Sequence, residues 1–384
     1  MAEAYIKITD LNKRFGKLYA VQDVNLEVDC GDYIVILGPT GAGKTTLLKL
    51  IAGLIKPTSG EIFKNGELLN PIPPEKRNMA YLPQTEDYSL FPYMSVWENT
   101  IFSPKVKGDK PWDEVVTLGD EILDLVNLRG RYNAYPHELS GGMKQRVALA
   151  RAIAADADIF LLDEPLRALD ARLRIRLRTE IRKLVSDLNK TTFHVTHDQE
   201  EALAVADKVL IINEGKIIQY DVPEEIYYNP SSLFSAHFFG TTNLIPATKV
   251  KSNGNGVVFQ TGEKKLIIQK ENIKNKSYNQ NVESTDEFVL AIKADSIKPF
   301  KTDPKVHSEN LFLKGVVEQY FFLGKWANLV VKIDRFAKEE IEIIIPSVDL
   351  LEYEIGTNIN LEIPYNAITC FNEPWETIKR METI

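Results

Sequence analysis

The chain has 384 residues, a formal net charge of −8 and an ordinary hydrophobic content of 44%, which allows two or three domains and argues against a protein that coats nucleic acid. Its two cysteines, Cys30 and Cys370, are far apart, as expected of a reducing compartment without a disulfide framework. The opening MAEAYIKITD has neither a basic nor an apolar targeting segment, and no apolar run reaches membrane-spanning length, so a soluble cytoplasmic chain is expected.

In chain order, YIKITDL and VQDVNLEV read as short strands, and DYIVIL (32–37) as a buried one. The next residues, Gly38, Pro39, Thr40, Gly41, Ala42, Gly43, Lys44 and Thr45, fit G-x-x-x-x-G-K-[ST], and TTLLKLIAGL can continue as helix. Strand, glycine loop and helix form a phosphate cradle: small residues let backbone N–H groups converge, and the helix start adds its positive dipole end. Lys44 is placed to reach β- and γ-phosphates, and the Thr45 hydroxyl to ligate Mg²⁺. EIFKNGELL reads as a hairpin turning at Asn65-Gly66.

From Gly31 to about Tyr228, strand and helix patterns alternate, the signature of an α/β domain. LSGGMKQRVALARA (139–152) opens a helix at Ser140-Gly141-Gly142, a second anion cradle of the helix N-terminus kind. One nucleotide does not need two cradles in one subunit, so two copies placed head to tail are expected to share their sites. ADIFLLDEP is a buried strand ending in two carboxylates: Asp163 is suited to Mg²⁺ and Glu164 to polarising an attacking water. In the next helix, Leu173, Leu177, Ile181, Leu184 and Leu188 recur at helical spacing, leaving Arg172, Arg174, Arg176, Arg178 and Arg182 on a solvated face. TTFHVTH is a further strand, with His197 at its end as the phosphate-sensing candidate and His194 as a decoy three residues earlier. Past about Thr242, turn-rich polar stretches separate short β-type runs, as in a second, all-β domain, which could be a small barrel.

Taken jointly, these motifs resemble the nucleotide-binding subunits of ATP-binding cassette (ABC) transporters over roughly residues 5–235. The matching parts are the Walker A loop Gly38–Thr45, a glutamine loop at Gln84, the LSGGM signature, the Walker B strand ending in Asp163-Glu164, the D-loop Ala168–Asp170 and the switch His197. LLDEPLRALDARL, VLAIKADSI and GVVEQYFFLGKWANLVVKI narrow the resemblance to the maltose-type importer ATPases and their polyamine, iron and oxyanion relatives.

That resemblance implies a P-loop ATPase domain over 1–240, with an antiparallel β subdomain and a helical subdomain at about 88–155. A regulatory domain of the oligonucleotide-binding (TOBE) type occupies 241–384, with no nucleic-acid partner. It implies that Phe15 stacks on adenine and that the Gly38–Thr46 loop, including Thr46, holds ATP. Ser140, Gly141, Gly142 and Asp170 contribute to the shared site. Thr45, Gln84 and Asp163 hold Mg²⁺; Glu164, His197 and Gln84 serve hydrolysis. The implied assembly is a homodimer or heterodimer docked at the cytoplasmic face on two transmembrane permease subunits, fed indirectly by an external solute-binding protein. Carbohydrate is the leading solute, with polyamine, ferric iron or oxyanion as the alternative; a non-transport ABC ATPase is a further reading. Met143, Arg167 and a lengthened segment between Gln84 and Tyr88 depart from the family pattern that the resemblance implies.

Overall fold

The computed structural model describes residues 4–84, 90–253, 256–269, 273–274, 286–301 and 310–381. The chain forms two compact units, Met1–Pro223 and Glu224–Ile384.

The first unit opens with two antiparallel strands, β1 (Ile6–Phe15) and β2 (Leu18–Val28), and then β3 (Tyr33–Leu37). Helix α1 (Lys44–Ala52) ends at Gly53, whose left-handed φ of 78° lets its N–H return to Leu50 O. Strands β4 (Ser59–Lys64) and β5 (Glu67–Leu68) turn at Asn65 and Gly66, both with positive φ, so the expected hairpin forms. With β1 and β2 they make a four-stranded antiparallel sheet.

Strand β6 (Met79–Leu82) precedes the helical segment of α2 (Val96–Thr100), α3 (Phe102–Lys107), α4 (Trp112–Leu125) and α5 (Gly141–Ala154). Ser95 and Glu98 close a capping box on α2, which fixes where that short helix starts. Then come β7 (Ile159–Asp163), α6 (Ala171–Asp187), β8 (Thr191–Val195), α7 (Gln199–Val205), β9 (Lys208–Asn213) and β10 (Lys216–Asp221).

The six-stranded sheet runs β10-β9-β3-β8-β7-β6, parallel except at β10. Every residue of β3, β7 and β8 is buried, which explains why they read as unbroken apolar runs rather than alternating ones. On α6 the buried residues are Leu177, Ile181 and Val185, whereas Leu188 is exposed. Of its arginines, Arg182 pairs with Asp207 at 2.6 Å instead of standing free in solvent.

The second unit begins with most of α8 (Pro223–Tyr228) and with α9 (Leu233–Phe238). By packing, the chain divides between Pro223 and Glu224. Leu233 and Ala236 of α9 pack with Leu244, Val289 and Phe371, which ties this helix to the β-rich unit. The described strands are β11 (Thr242–Asn253), β12 (Gly256–Thr261), β13 (Lys264–Gln269), β14 (Ile273–Lys274), β15 (Glu287–Lys293), β16 (Lys298–Phe300), β17 (Asn310–Leu323), β18 (Trp326–Ile333), β19 (Glu340–Pro346), β20 (Asn358–Pro364) and β21 (Ile368–Phe371). They form two sheets, β13-β12-β11-β15-β21-β14 and β16-β20-β17-β18-β19, antiparallel except where β14 meets β21. Phe259, Leu290 and Ile368 of one sheet share an apolar core with Leu313, Leu329 and Leu361 of the other.

Candidate functional site

Strands β3, β8 and β7 are parallel neighbours, so the loops leaving their C-terminal ends emerge side by side. That edge is where open α/β sheets place ligands. The loop after β3 is Gly38–Gly43. Gly38 has φ 154° and Gly43 φ 106°, and an added Cβ would lie 2.0 Å from Ile212 O or 2.1 Å from Ala20 O. Only glycine fits this path, which the sequence could signal only by the residue type.

Helix α1 starts directly behind, with no side chain capping its first turn and no acidic residue there. Lys44 donates from Nζ to Gly38 O at 2.7 Å and Pro39 O at 2.8 Å. Burial pulls its pKa below the usual lysine value, while the carboxylates of Glu164 and Asp163 pull it back up. A cavity of 560 Å³ opens on residues Thr40–Thr46 and is bounded by Leu18, Tyr19, Gln22, Gln84, Glu164 and His197.

Asp163 closes β7. Both of its carboxylate oxygens are buried, with the Thr45 hydroxyl as their nearest polar neighbour and no ion-pair partner among the described residues. Burial lifts its pKa above the usual carboxylate range and the charge of Glu164 adds to this, against the neighbouring Thr45 hydroxyl, Lys49 and Lys44. A buried carboxylate beside a hydroxyl, without an ion-pair partner, is costly alone and suits a small hard cation. Mg²⁺ therefore fits Asp163 and Thr45. No cluster of three or more His, Cys, Asp or Glu able to hold a metal occurs among the described residues, and a Mg²⁺ site completed by water and phosphate needs none.

Glu164, at φ 52°, sits in the left-handed region, where a non-glycine residue is held by its surroundings. Its N–H donates to Val195 O at 2.9 Å, which ties the end of β7 to the end of β8. Its Oε1 lies 2.7 Å from His197 Nε2 and its Oε2 3.0 Å from Arg167 Nη1. A second cavity, of 420 Å³, is lined by Thr40, Gln84, Glu164, Arg167, Arg174 and His197. The two histidines part company: His194 is fully buried, with Nδ1 3.0 Å from the Tyr33 hydroxyl, and burial depresses its pKa. His197 stands at the cavity.

The other expected residues fall at several places. Gln84 lines both cavities, but the lengthened segment after it lies at residues outside the described ones. Phe15, at the end of β1, is half-exposed beneath the Lys13 ammonium and does not line the loop cavity; Leu18 and Tyr19 do. Ser140 is the exposed N-cap residue of α5, with no side-chain capping bond, and Gly141 and Gly142 come next in the first turn. None of the three lines the cavity at Lys44. Asp170 caps α6, its Oδ1 accepting from Leu173 N at 3.0 Å.

One residue escaped the sequence reading. Gln145, buried on α5, donates from Nε2 to Glu164 O at 2.9 Å and accepts from Ala168 N at 2.9 Å. It spans the turn after β7 and fixes where Glu164 stands. The available signal was a glutamine on a helix whose buried positions are otherwise apolar.

A sequence profile described as ABC transporter matches residues 21–167. A spermidine/putrescine import ATP-binding protein of Nitrosospira multiformis is 36% identical over 97% of this chain and 99% of its own length. An Fe(3+) ions import ATP-binding protein of Rhizobium meliloti is 37% identical over 91% of this chain and 87% of its own. A sulfate/thiosulfate import ATP-binding protein of Bacillus cereus is 40% identical over 79% of this chain and 86% of its own. Among solved structures, a dimeric bacterial ABC transporter cassette is 30% identical, with a TM-score of 0.53 over 57% of this chain and 98% of that one. A dimeric post-hydrolysis ATP-binding cassette bound to ADP and Pi matches at 29% identity, TM-score 0.53, with the same coverage.

The fold and the phosphate loop are those of an ABC ATPase. The chain belongs to the ATP-binding subunits of ABC transporters, ATP hydrolases that act with Mg²⁺ and whose hydrolysis is coupled to transport.

Proposed function

We propose that this chain is the ATPase subunit of an importer in the polyamine, ferric iron and oxyanion group, docked as a dimer on two permease subunits at the cytoplasmic membrane face. No described helix is long and apolar enough to cross a membrane, which is compatible with peripheral attachment. Carbohydrate was the leading expectation from sequence. The relatives are instead named for polyamine, ferric iron and sulfate import, and the polyamine and iron relatives align across both units. On this reading residues 241–384 are a TOBE-type regulatory module.

The observation that carries the site reading is the buried carboxylate of Asp163 next to Thr45 and Lys44, without an ion-pair partner among the described residues. ATP is held by the Gly38–Thr46 backbone, with Lys44 exchanging the carbonyls of Gly38 and Pro39 for β- and γ-phosphate oxygens. Thr45, Gln84 and Asp163 would hold Mg²⁺, which would neutralise phosphate charge that develops during transfer. Glu164 accepts the proton of the attacking water, and His197, hydrogen-bonded to Glu164, orients on the γ-phosphate. Phe15 stacks on the base. Ser140, Gly141 and Gly142 of one subunit complete the site of the other, and Asp170 stands at the same junction. Gln84 and the loop after it carry closure to the permease.

The test is reconstitution of the chain with its co-purified permease subunits and measurement of Mg²⁺-dependent ATP hydrolysis. The solute-binding protein is supplied with spermidine, ferric ion, sulfate or maltose in turn. Stimulation by one of the first three supports the reading, and stimulation by maltose alone returns it to carbohydrate. Absence of Mg²⁺-dependent hydrolysis removes the site assignment.

A further inference from the structure

Arg167 lines the cavity but has no part in the hydrolysis assigned to Glu164 and His197. The turn Glu164-Pro165-Leu166-Arg167 is closed by Arg167 N–H donating to Glu164 O at 3.4 Å. That folds the Arg167 side chain back on the carboxylate that precedes it. Arg174 of α6 secures the same turn, donating from Nη2 to Leu169 O at 3.0 Å and to Arg167 O at 3.5 Å. The backbone of Arg167 is thus held, while its side chain is 68% exposed; the carboxylate it grips is 5% exposed. Glu164 is pinned on both oxygens, Oε1 by His197 and Oε2 by Arg167.

We propose that Arg167 is a positioning residue that latches Glu164 and restrains hydrolysis until it is displaced. The proposal rests on Glu164 being the base. To accept a proton from water, Glu164 must turn a lone pair toward the γ-phosphate within the cavity that Arg167 also lines. A guanidinium on Oε2 competes for that lone pair and holds the carboxylate toward the turn. Each carboxylate oxygen keeps a second lone pair, so the latch slows turnover without abolishing it. Because Arg167 is attached to a secured turn by an exposed side chain, it can leave without moving the strand end.

The measurement is steady-state ATP hydrolysis by the full chain at saturating ATP, at low and high ionic strength. An ion pair with one exposed partner is worth less than about 1 kcal/mol, so Arg167→Ala should raise kcat about two- to fivefold at low salt. KM should stay within about twofold of wild type, because no phosphate contact is lost. Arg167→Lys, which keeps the charge, should return kcat toward wild type. In the wild type, kcat should rise with salt toward the Arg167→Ala value as the pair is screened, and the variant should lack that rise. A kcat in Arg167→Ala equal to or below wild type overturns the latch, as does identical salt dependence in the two proteins. Glu164→Gln separates the two layers: wild-type turnover in that variant removes Glu164 as base. An inactive Glu164→Gln together with an unaltered Arg167→Ala removes only the latch.

Discussion

Replacing Gln145 with leucine tests whether the turn after β7 is held from α5. The two side chains are close in volume, so the change leaves little cavity and acts on hydrogen bonding. Two bonds are lost, Nε2 to Glu164 O and Ala168 N to Oε1, both 2.9 Å. Each is worth about 0.5–1.5 kcal/mol net, which puts the combined loss at about 1–3 kcal/mol. For a unit of this size each kcal/mol moves the midpoint by about 2–4 °C, so calorimetry should record a fall of several degrees. The same substitution frees the residue that carries the proposed base, so kcat at saturating ATP should drop while ATP affinity holds. Gln145→Glu should be worse than Gln145→Leu, because a carboxylate oxygen then faces the Glu164 carbonyl and a further buried charge joins Asp163 and Glu164. Gln145→Leu with the wild-type midpoint and the wild-type kcat would refute the reasoning.

Four further outcomes are expected. Glu164→Gln should keep ATP binding in a direct titration while kcat falls about 10²–10⁴-fold, the usual loss of a general base. Lys44→Ala should weaken ATP binding itself, measured by calorimetric titration, since the ammonium proposed to meet the phosphates is gone. Gly38→Ala should prevent the loop from forming, because its Cβ meets Ile212 O at 2.0 Å; loss of ATP binding together with a lowered midpoint checks this. Burial brings the Lys293 pKa down to about 7, below its unfolded value, so the unfolded chain binds more protons above that pH. Stability of the second unit should therefore increase as pH rises from about 7 toward 10, and a flat profile in denaturant titrations would contradict the cause assigned.

The features legible in the sequence were those that depend on residues close in the chain. The Gly38–Thr45 spacing, the Asn65-Gly66 turn and the carboxylates at the end of β7 each announce a local geometry that the backbone then adopts. Contacts between distant residues were not legible. Nothing near Gln145 signals that its partners are Glu164 and Ala168, and nothing near Arg167 says that it folds back on Glu164. His194 and His197 stand three residues apart, His194 within β8 and His197 beyond its end, and Tyr33 on a neighbouring strand takes His194 into the core. The change in composition near Thr242 does not announce that α9 packs with the β-rich unit, where Leu233 and Ala236 are covered. On α6 the buried stripe includes Val185 rather than Leu184 or Leu188, since the core-facing direction is set by the sheet and not by which residues are leucine.

The charged groups at the sheet edge differ in how they are satisfied, and that difference orders what a nucleotide has to do. Lys44 has two carbonyl acceptors from its own loop, and Glu164 has a histidine and an arginine. For both, binding and turnover are exchanges of one partner for another, with small net gains on each side. Asp163 has only the neighbouring Thr45 hydroxyl and no ion-pair partner among the described residues. A cation reaching it recovers the cost of a buried carboxylate without displacing an ammonium or guanidinium. Loading the site with a cation therefore brings a gain at Asp163 that is separate from the exchange at the lysine. It follows that Asp163→Asn should cost more in Mg²⁺-dependent nucleotide affinity than in affinity measured with EDTA present. Lys44→Ala should lower both by similar factors. Equal losses for Asp163→Asn with and without Mg²⁺ would mean that the buried carboxylate serves the fold of the strand end and not the metal.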